Sequence, residues 1–172
     1  MRPERPADEA AVARVVADAF RSEAHAALVA AIRASPGFVP ALSLVAEDGG
    51  RLVGHVMIST VGLEGVDGER RGIPSLSPLA VAPAAQGRGV GSALVRAVTG
   101  EARRLGAPFV VLEGDPRYYG RFGFEPAAPH GIEIDLPSWA PPEAAQVLVL
   151  RDDGPLPTGR VVYPPAFDLV TD

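Results

Sequence analysis

The sequence contains no cysteine, no lysine and no asparagine. Without cysteine, the chain can form no disulfide, no thiolate metal site and no cysteine nucleophile. Without lysine, it lacks a Schiff-base amine and the lysine of a Walker phosphate loop, and all 16 of its basic residues are arginine. Its histidines, His25, His55 and His130, do not have the spacing of metal ligands, so we predict no metal site.

The chain also has little of what a nucleic-acid or membrane partner requires. Its 21 acidic and 16 basic residues give a net charge of −5, which argues against a general nucleic-acid binder. No apolar run approaches the roughly 18 residues that cross a bilayer, and residues 1–6 lack the apolar core of a signal peptide. We therefore predict a cytoplasmic protein without a nucleic-acid or membrane partner, folded as a single domain over residues 1–172.

The hydrophobic pattern changes along the chain from helical to strand-like, and then to a strand–helix–strand unit. Apolar residues three and four apart predict helices. Asp8 is expected to cap the first helix, and Phe20 to lie on its apolar face. Leu105 is expected on the apolar face of the helix that begins near residue 90. Apolar runs around the turn signal Asp-Gly-Gly-Arg at 48–51 predict a hairpin. The predicted elements are helices over about 8–20, 23–33 and 90–105, strands over 42–47, 52–58, 75–81, 109–112, 145–150 and 160–163, and a helical turn over 116–122.

Three glycines lie within residues 86–91, between the predicted strand at 75–81 and the helix that follows. The first N–H groups of a helix have no intrahelical acceptor, and with the helix dipole they suit a phosphate or pyrophosphate. Gln86 and Arg88 add side-chain donors at the rim. The alternative is a tight turn that needs the freedom of glycine. The Walker lysine is absent and Ser92 replaces the last glycine of a dinucleotide fingerprint, so a P-loop enzyme or a nicotinamide-dependent oxidoreductase fits poorly.

The segment that contains these glycines, residues 79–94, reads Leu-Ala-Val-Ala-Pro-Ala-Ala-Gln-Gly-Arg-Gly-Val-Gly-Ser-Ala-Leu. It resembles the acetyl-CoA motif of the GNAT superfamily of N-acetyltransferases, in which a strand leads to Q/R-x-x-G-x-G/A at a helix start. The sequence Tyr-Tyr-Gly-Arg-Phe-Gly-Phe at 118–124 is similar to the family's Tyr-x-x-x-Gly-Phe signature, and residues 45–55 match its second-and-third-strand hairpin. The resemblance covers about residues 2–128, with a motif core at 75–126.

The resemblance implies an α/β (α+β) fold, a GNAT-like twisted mixed β-sheet of about six to seven strands with helices on both faces. It implies acetyl-CoA as co-substrate and, as acceptor, a primary amine of a small molecule or peptide that attacks the thioester directly. A homodimer is compatible with the family. The alternative, from a different functional class, is an acyl-CoA-binding sensor or interaction module of the same fold that has no catalytic turnover.

The resemblance also assigns residues to the cofactor. The amides of residues 87–92 are expected to hold the CoA pyrophosphate and main-chain groups of Leu79 and Val81 the pantetheine arm, while an N–H near Leu79 or Ala80 stabilises the oxyanion. This requires the strand that ends at Val81 to part from its parallel neighbour, and Pro78 favours a bulge or a gap there. The implied cofactor-binding residues are Leu79, Ala80, Val81, Gln86, Gly87, Arg88, Gly89, Val90, Gly91, Ser92 and Tyr119.

Tyr119 is the candidate general acid. It lies four residues before Gly123, which is the position of the family's tyrosine near the thioester sulfur. A phenol with a pKa of about 10 stays protonated at neutral pH and can donate a proton to the leaving thiolate. Tyr118 is the alternative acid, and a further interpretation is that both tyrosines pack at the edge of the core.

Glu113 is the candidate general base. Many members of the family carry a carboxylate on the strand equivalent to 75–81, where this chain offers only Ser75 and Ser77. Many also carry an asparagine before the tyrosine helix, where this chain reads Glu-Gly-Asp-Pro at 113–116. Glu113 and Asp115 end a strand near the expected cleft, so a base that acts through a bridging water is available there, and Glu113 is the residue that we choose. The alternative is that the amine arrives already deprotonated.

Overall fold

The computed structural model describes residues 1–152 and 154–170, which form a mixed β-sheet with helices on both faces. The helices are α1 (Glu9–Phe20), α2 (Glu23–Arg33), α3 (Val90–Arg104) and α4 (Pro116–Tyr119). The strands are β1 (Arg2–Pro3), β2 (Phe38–Asp48), β3 (Arg51–Glu64), β4 (Arg70–Val81), β5 (Phe109–Glu113), β6 (Glu125–Pro126), β7 (Ile132–Glu133), β8 (Ala145–Val149) and β9 (Gly159–Val162).

The strands run in the order β1-β2-β3-β4-β5-β8-β6, and β9 adds to β3 and pairs with β7. Neighbours are antiparallel except for β4 with β5 and β7 with β9, so the predicted mixed sheet is confirmed. The described residues form nine strands rather than six or seven. The six predicted strands are present, and the other three, β1, β6 and β7, are two residues long and too short to show an alternating pattern.

The helix α3 packs on one face of the sheet because its apolar residues recur every three or four positions. Leu94, Val95 and Val98 are fully buried there and pack in one cluster with Val56 of β3 and Val110 of β5. Each such side chain contributes about 1.5–3 kcal/mol when it is removed from water. This packing fixes the start of α3 beside the end of β4.

The helices α1 and α2 cover part of the opposite face. Val16, Leu28 and Ile32 pack there against Val45 of β2 and Met57 of β3. The prediction of helices on both faces is therefore confirmed. None of the helices in the described ranges is both long and apolar enough to cross a bilayer.

The rest of this second face is covered by β7, by β9 and by the chain that follows β9. Val161 and Ile132 pack there with Phe109 and Val111 of β5. Tyr163 directly follows β9 and lies partly buried at the edge of this cluster. The pairing of β9 with β3 thus brings Tyr163 next to β5, although the two are far apart in the sequence.

Three sequence predictions near helix ends are wrong. Asp8 occupies the N-cap position of α1, but its side chain makes no capping hydrogen bond to the helix, because the carboxylate pairs with Arg2 at 2.6 Å and accepts the N–H of Arg5 at 2.7 Å. These contacts lower the pKa of Asp8 to about 2. Phe20 and Leu105 are 39% and 47% exposed, because the first lies at the end of α1 and the second lies just beyond α3.

Candidate functional site

A bulge interrupts β4 at Ser77 and Pro78. Leu76 and Leu79 are three residues apart, whereas their partners on β3 are only two residues apart, so β4 carries one extra residue between them. The bulge reverses the alternation of the strand, and the side chains of Leu76 and Leu79 therefore both face α3. The bulge predicted at Pro78 is confirmed.

The parallel strands β4 and β5 pair at a single position, Ser75 opposite Val111. Pro78 has no N–H to donate to a neighbouring strand. From the bulge to Val81, the described residues of β4 have no partner on the β5 side. The two strands therefore separate toward their C-terminal ends, as the sequence predicts, and leave a slot in the sheet.

The end of β4 turns main-chain polar groups toward this slot. The N–H of Ala82 donates across to β3 at 2.9 Å. Because hydrogen-bonding direction alternates along an antiparallel strand, Ala80 also faces β3, whereas Leu79 and Val81 face the slot. The Val81 carbonyl accepts a hydrogen bond there from the side-chain amide of Gln86 at 3.0 Å. This contact connects the edge of β4 with residues 86–91, the glycine loop that precedes α3.

The helix α3 begins beside this edge, after a loop that contains Gly87 and Gly89. Both glycines have positive φ angles, 72° and 81°, which residues with side chains rarely adopt. The N–H of Ala93 donates to the carbonyl of Gly89 at 3.0 Å, so the N–H groups before Ala93 have no acceptor within the helix. Together with the positive end of the helix dipole, they form a site that suits an anion.

A cleft of about 560 Å³ is lined by residues from the start of α3 and from the end of β4. Its volume is in the range of pockets that hold small-molecule ligands. Eight of the eleven residues predicted to bind the cofactor line it, namely Leu79, Val81, Gln86, Gly87, Gly89, Val90, Gly91 and Ser92. The structure therefore gathers most of the predicted cofactor residues around one cavity.

Three predicted cofactor residues are not among the residues that line the cleft. Ala80 is buried and faces the layer formed by α1 and α2. The guanidinium of Arg88 pairs with Asp48 at 3.2 Å, at the turn between β2 and β3. Tyr119 packs at the end of β5 instead. The motif predicts that Arg88 donates hydrogen bonds at the rim of the cleft. Its guanidinium instead forms an ion pair with Asp48 of the neighbouring hairpin.

The cleft is also lined by Phe20, Tyr118 and Arg121, which the sequence motifs did not tie to the cofactor. Phe20 ends α1 and stacks on His25 with ring centroids 4.2 Å apart. Helical periodicity placed Phe20 in the core, and nothing in the sequence signals its position at the cleft. Tyr118 and Arg121 belong to the signature at 118–124, so that segment was the available signal for them.

Tyr118 and Tyr119 lie in different surroundings. The hydroxyl of Tyr118 lies beside Gly91 in the first turn of α3. The ring of Tyr119 packs against Gly114, just after β5, and meets the ring of Phe124 edge-on with centroids 5.7 Å apart. Burial raises the pKa of the Tyr119 phenol above its ordinary value, so this hydroxyl stays protonated at neutral pH.

Glu113 ends β5 on the face of the sheet opposite Tyr119. Partial desolvation raises the pKa of its carboxyl group, a hydrogen bond with Tyr163 opposes this change, and Asp135 adds to it. The Tyr163 hydroxyl also interacts with Ser75, at the position where β4 and β5 pair. Glu113, Tyr163 and Ser75 therefore come together beside the point at which the slot opens.

The place of Tyr163 could not be predicted from the motifs. It lies beyond the motif core at 75–126, in a segment whose pattern predicts a strand but not the partner of that strand. Only the addition of β9 to β3 brings its hydroxyl to Glu113. A tyrosine that follows a closing strand carries no sequence signal for such a contact.

His55 is fully buried in β3. Burial, with the nearby charge of Arg33, lowers its pKa to about 3, so the imidazole is neutral at physiological pH. Across residues 1–152 and 154–170, no group of three or more histidine, aspartate or glutamate side chains is arranged to hold a metal ion. On β3, His55 lies opposite Val45 and Ala80, which belong to the layer under α1 and α2.

Comparison with known proteins identifies sequence relatives that match most of the chain. A family model described as an acetyltransferase (GNAT) domain matches residues 1–127. The uncharacterized N-acetyltransferase YhbS of Escherichia coli K12 is 34% identical over 153 residues, which are 89% of this chain and 88% of that protein. The uncharacterized N-acetyltransferase YjhQ of the same strain is 38% identical over 122 residues, 70% of this chain and 66% of that protein.

Solved structures show the same fold over nearly the whole chain. The crystal structure of Escherichia coli YhbS in complex with CoA has a TM-score of 0.83 at 34% identity, and the match covers 97% of this chain and 90% of that one. A GNAT family acetyltransferase from Brucella melitensis, in complex with acetyl-CoA, has a TM-score of 0.77 at 34% identity. That match covers 97% of this chain and 96% of the Brucella chain. Both matches extend well beyond the residues that the family model covers.

Proposed function

Since the chain belongs to the GNAT family of acetyltransferases, we propose that it transfers an acetyl group from acetyl-CoA to a primary amine of a small molecule or peptide. The observation that carries this proposal is the slot between β4 and β5 beside the amides that begin α3. A ligand with a phosphate group and a long amide-bearing arm suits this arrangement. The relatives that were solved with CoA and acetyl-CoA support the same cofactor.

The cofactor binds mainly through main-chain groups. In this proposal the pyrophosphate is held by the amides of residues 87–92, and the pantetheine amides bond to Leu79 and Val81 as an added strand would. Gln86 supports both parts, because its side chain links the loop to the Val81 carbonyl. The N–H of Leu79 faces the slot and that of Ala80 faces β3, so Leu79 is the oxyanion donor.

The reaction requires one proton to be removed and one to be supplied. The acceptor nitrogen attacks the thioester carbonyl carbon, a carbon–nitrogen bond forms, and the carbon–sulfur bond breaks as the tetrahedral intermediate collapses. Tyr119, whose raised pKa keeps its hydroxyl protonated, donates a proton to the departing thiolate. Glu113 takes the proton that the amine loses, through a bridging water. The products are the acetylated amine and the free thiol of CoA.

The positions of Tyr119 and Glu113 support these roles. Tyr119 packs with the α3 cluster, on the face that carries the cofactor cleft, whereas Glu113 interacts with Tyr163 on the other face. An amine that enters from the Glu113 face meets the thioester within the slot. The raised pKa of Glu113 makes its ionised form a stronger base than an ordinary glutamate.

The experiment is to incubate the protein with acetyl-CoA and a panel of polyamines, amino sugars and peptide amines while free thiol is measured. We expect thiol release that requires both the protein and an accepted amine. Binding of acetyl-CoA without thiol release for any amine would favour the acyl-CoA-binding module instead. As a separate check, acetyl-CoA at 100 times its Kd should stabilise the fold by about 2.7 kcal/mol, and NAD should not.

A further inference from the structure

Arg121 is the one charged side chain among the described residues that line the cleft. It lies in the short 3-10 turn Gly120–Phe122 that follows α4. Arg88, which the motif predicts at the rim, is paired with Asp48 and does not line the cleft. Arg121 is therefore the cationic side chain that the cleft offers to a phosphate group.

Contacts within its own segment hold the Arg121 side chain in place. Its Nε donates to the carbonyl oxygen of Tyr118 at 3.1 Å. Its guanidinium carbon lies 4.6 Å from the centre of the Tyr118 ring and 5.4 Å from that of Phe122. No carboxylate in the described part of the chain pairs with this guanidinium, so its terminal N–H groups remain for a ligand.

The same tyrosine connects Arg121 with the start of α3. One face of the Tyr118 ring carries the guanidinium, and the hydroxyl of that ring lies against Gly91 in the first helical turn. Tyr118, Gly91 and Arg121 all line the cleft. The cation and the amides of the helix start therefore face the same volume.

From this arrangement we propose that Arg121 binds the pyrophosphate of CoA together with the α3 amides, a role that rests on the proposed function. A guanidinium presents paired N–H donors that match two oxygen atoms of a phosphate group. The aromatic ring beneath it holds its plane, so less side-chain freedom is lost when the ligand binds. The role extends the cofactor site from the glycine loop to the segment after α4.

Isothermal titration calorimetry with CoA, with 3′-dephospho-CoA and with pantetheine tests this role, because dephospho-CoA keeps the pyrophosphate and pantetheine has no phosphate. Arg121→Gln should weaken binding of CoA and dephospho-CoA alike, by about ten- to a hundredfold, and leave pantetheine binding unchanged. Arg121→Lys keeps the charge but not the paired donors and should lose less. Arg117→Gln is the matched control, because Arg117 is on α4 with its side chain 91% exposed and outside the cleft.

An unchanged Kd for CoA in Arg121→Gln would overturn the assignment. A loss seen with CoA but not with dephospho-CoA would also overturn it, because the ribose 3′-phosphate would then be the partner. Thermal unfolding of the unliganded variants separates a binding defect from a folding defect, and the lysine variant keeps the test decisive if the glutamine variant does not fold. If the wild type binds none of these ligands, the proposed function itself is wrong, and this assignment fails with it.

Discussion

The hydroxyl of Tyr118 lies 2.5 Å from the position that a β-carbon on Gly91 would occupy. A side chain at Gly91 must therefore displace the end of Tyr118 from the cleft. We predict that Gly91→Ala weakens CoA binding by about fivefold, the equivalent of about 1 kcal/mol. Stability should not fall, since alanine within a helix is favoured over glycine by up to about 1 kcal/mol.

Calorimetric titration with CoA and thermal unfolding measure these two quantities for Gly91→Ala. The double variant Gly91→Ala/Tyr118→Phe removes the oxygen atom that the new methyl group meets, so it should regain part of the lost affinity. Equal affinity in Gly91→Ala and the wild type would show that Tyr118 does not shape the cofactor cleft.

Tyr119→Phe tests the proposed general acid. Because the departing thiolate loses its proton donor, we predict a decrease in kcat of about ten- to a thousandfold, with little change in the KM for acetyl-CoA. Steady-state kinetics with an accepted amine give both constants. A decrease in Tyr118→Phe, with normal turnover in Tyr119→Phe, would transfer the role to Tyr118.

The pH dependence of turnover tests the proposed base. Glu113 must be ionised to accept a proton, so kcat should rise with pH through the pKa of its carboxyl group, which desolvation raises. The hydrogen bond from Tyr163 lowers that pKa. We therefore predict that Tyr163→Phe raises the pKa of Glu113 further and moves the acidic limb of the kcat profile to higher pH.

The matched variant for the pH profile is Glu113→Gln, in which the limb should disappear together with most of the activity. The profiles are measured at saturating substrate with two amines of different basicity. If the acidic limb stays unchanged in Tyr163→Phe and Glu113→Gln and instead shifts with the pKa of the amine, the acceptor arrives already deprotonated.

His55 predicts how stability depends on pH. Burial lowers its pKa from 6.5 to about 3, so between these values the unfolded chain binds a proton at His55 and the folded chain does not. Its contribution to stability is therefore present above pH 6.5 and is lost as the pH falls toward 3. For each unit by which the pH is lowered between 6.5 and 3, we predict that this group decreases the free energy of unfolding by about 1.4 kcal/mol.

Urea denaturation at pH 6.5 and pH 5 measures this dependence in the wild type and in His55→Gln, which cannot titrate. The glutamine variant should show the shallower dependence on pH. Asp8 does not interfere, because its pKa changes from 3.8 to about 2 and acts only at lower pH. Parallel pH dependence in the two proteins would contradict the prediction.

Local features were predictable from the sequence. The helix α2 begins and ends at the predicted residues, Glu23 and Arg33, because apolar spacing and the following proline act within a few residues. The bulge at Pro78 follows from the missing N–H of proline in the same way. Most residues of the cleft are close together in the chain, at the end of β4 and in the glycine loop, so one motif predicts them.

The parts of the site that depend on contacts between distant elements were not predictable. Phe20 follows a helical pattern that predicts burial, but the packing of α1 beside β4 leaves it at the cleft. Tyr163 reaches Glu113 only because β9 joins β3. Arg88 is the opposite case, because the motif predicts it at the cleft and the structure places it elsewhere. Nothing in the motif indicates Asp48, with which Arg88 forms an ion pair.

β9 joins β3 between residues one hundred positions apart, such as Gly62 and Val162. Contacts at so great a sequence separation form slowly, because closing the long intervening loop costs more conformational entropy than joining neighbouring elements. Pulse-labelled hydrogen exchange during refolding should therefore show protection of α3 amides before those of β9, and simultaneous protection would contradict this order. The cleft beside α3 can thus form while β3 still lacks the strand that carries Tyr163 to Glu113.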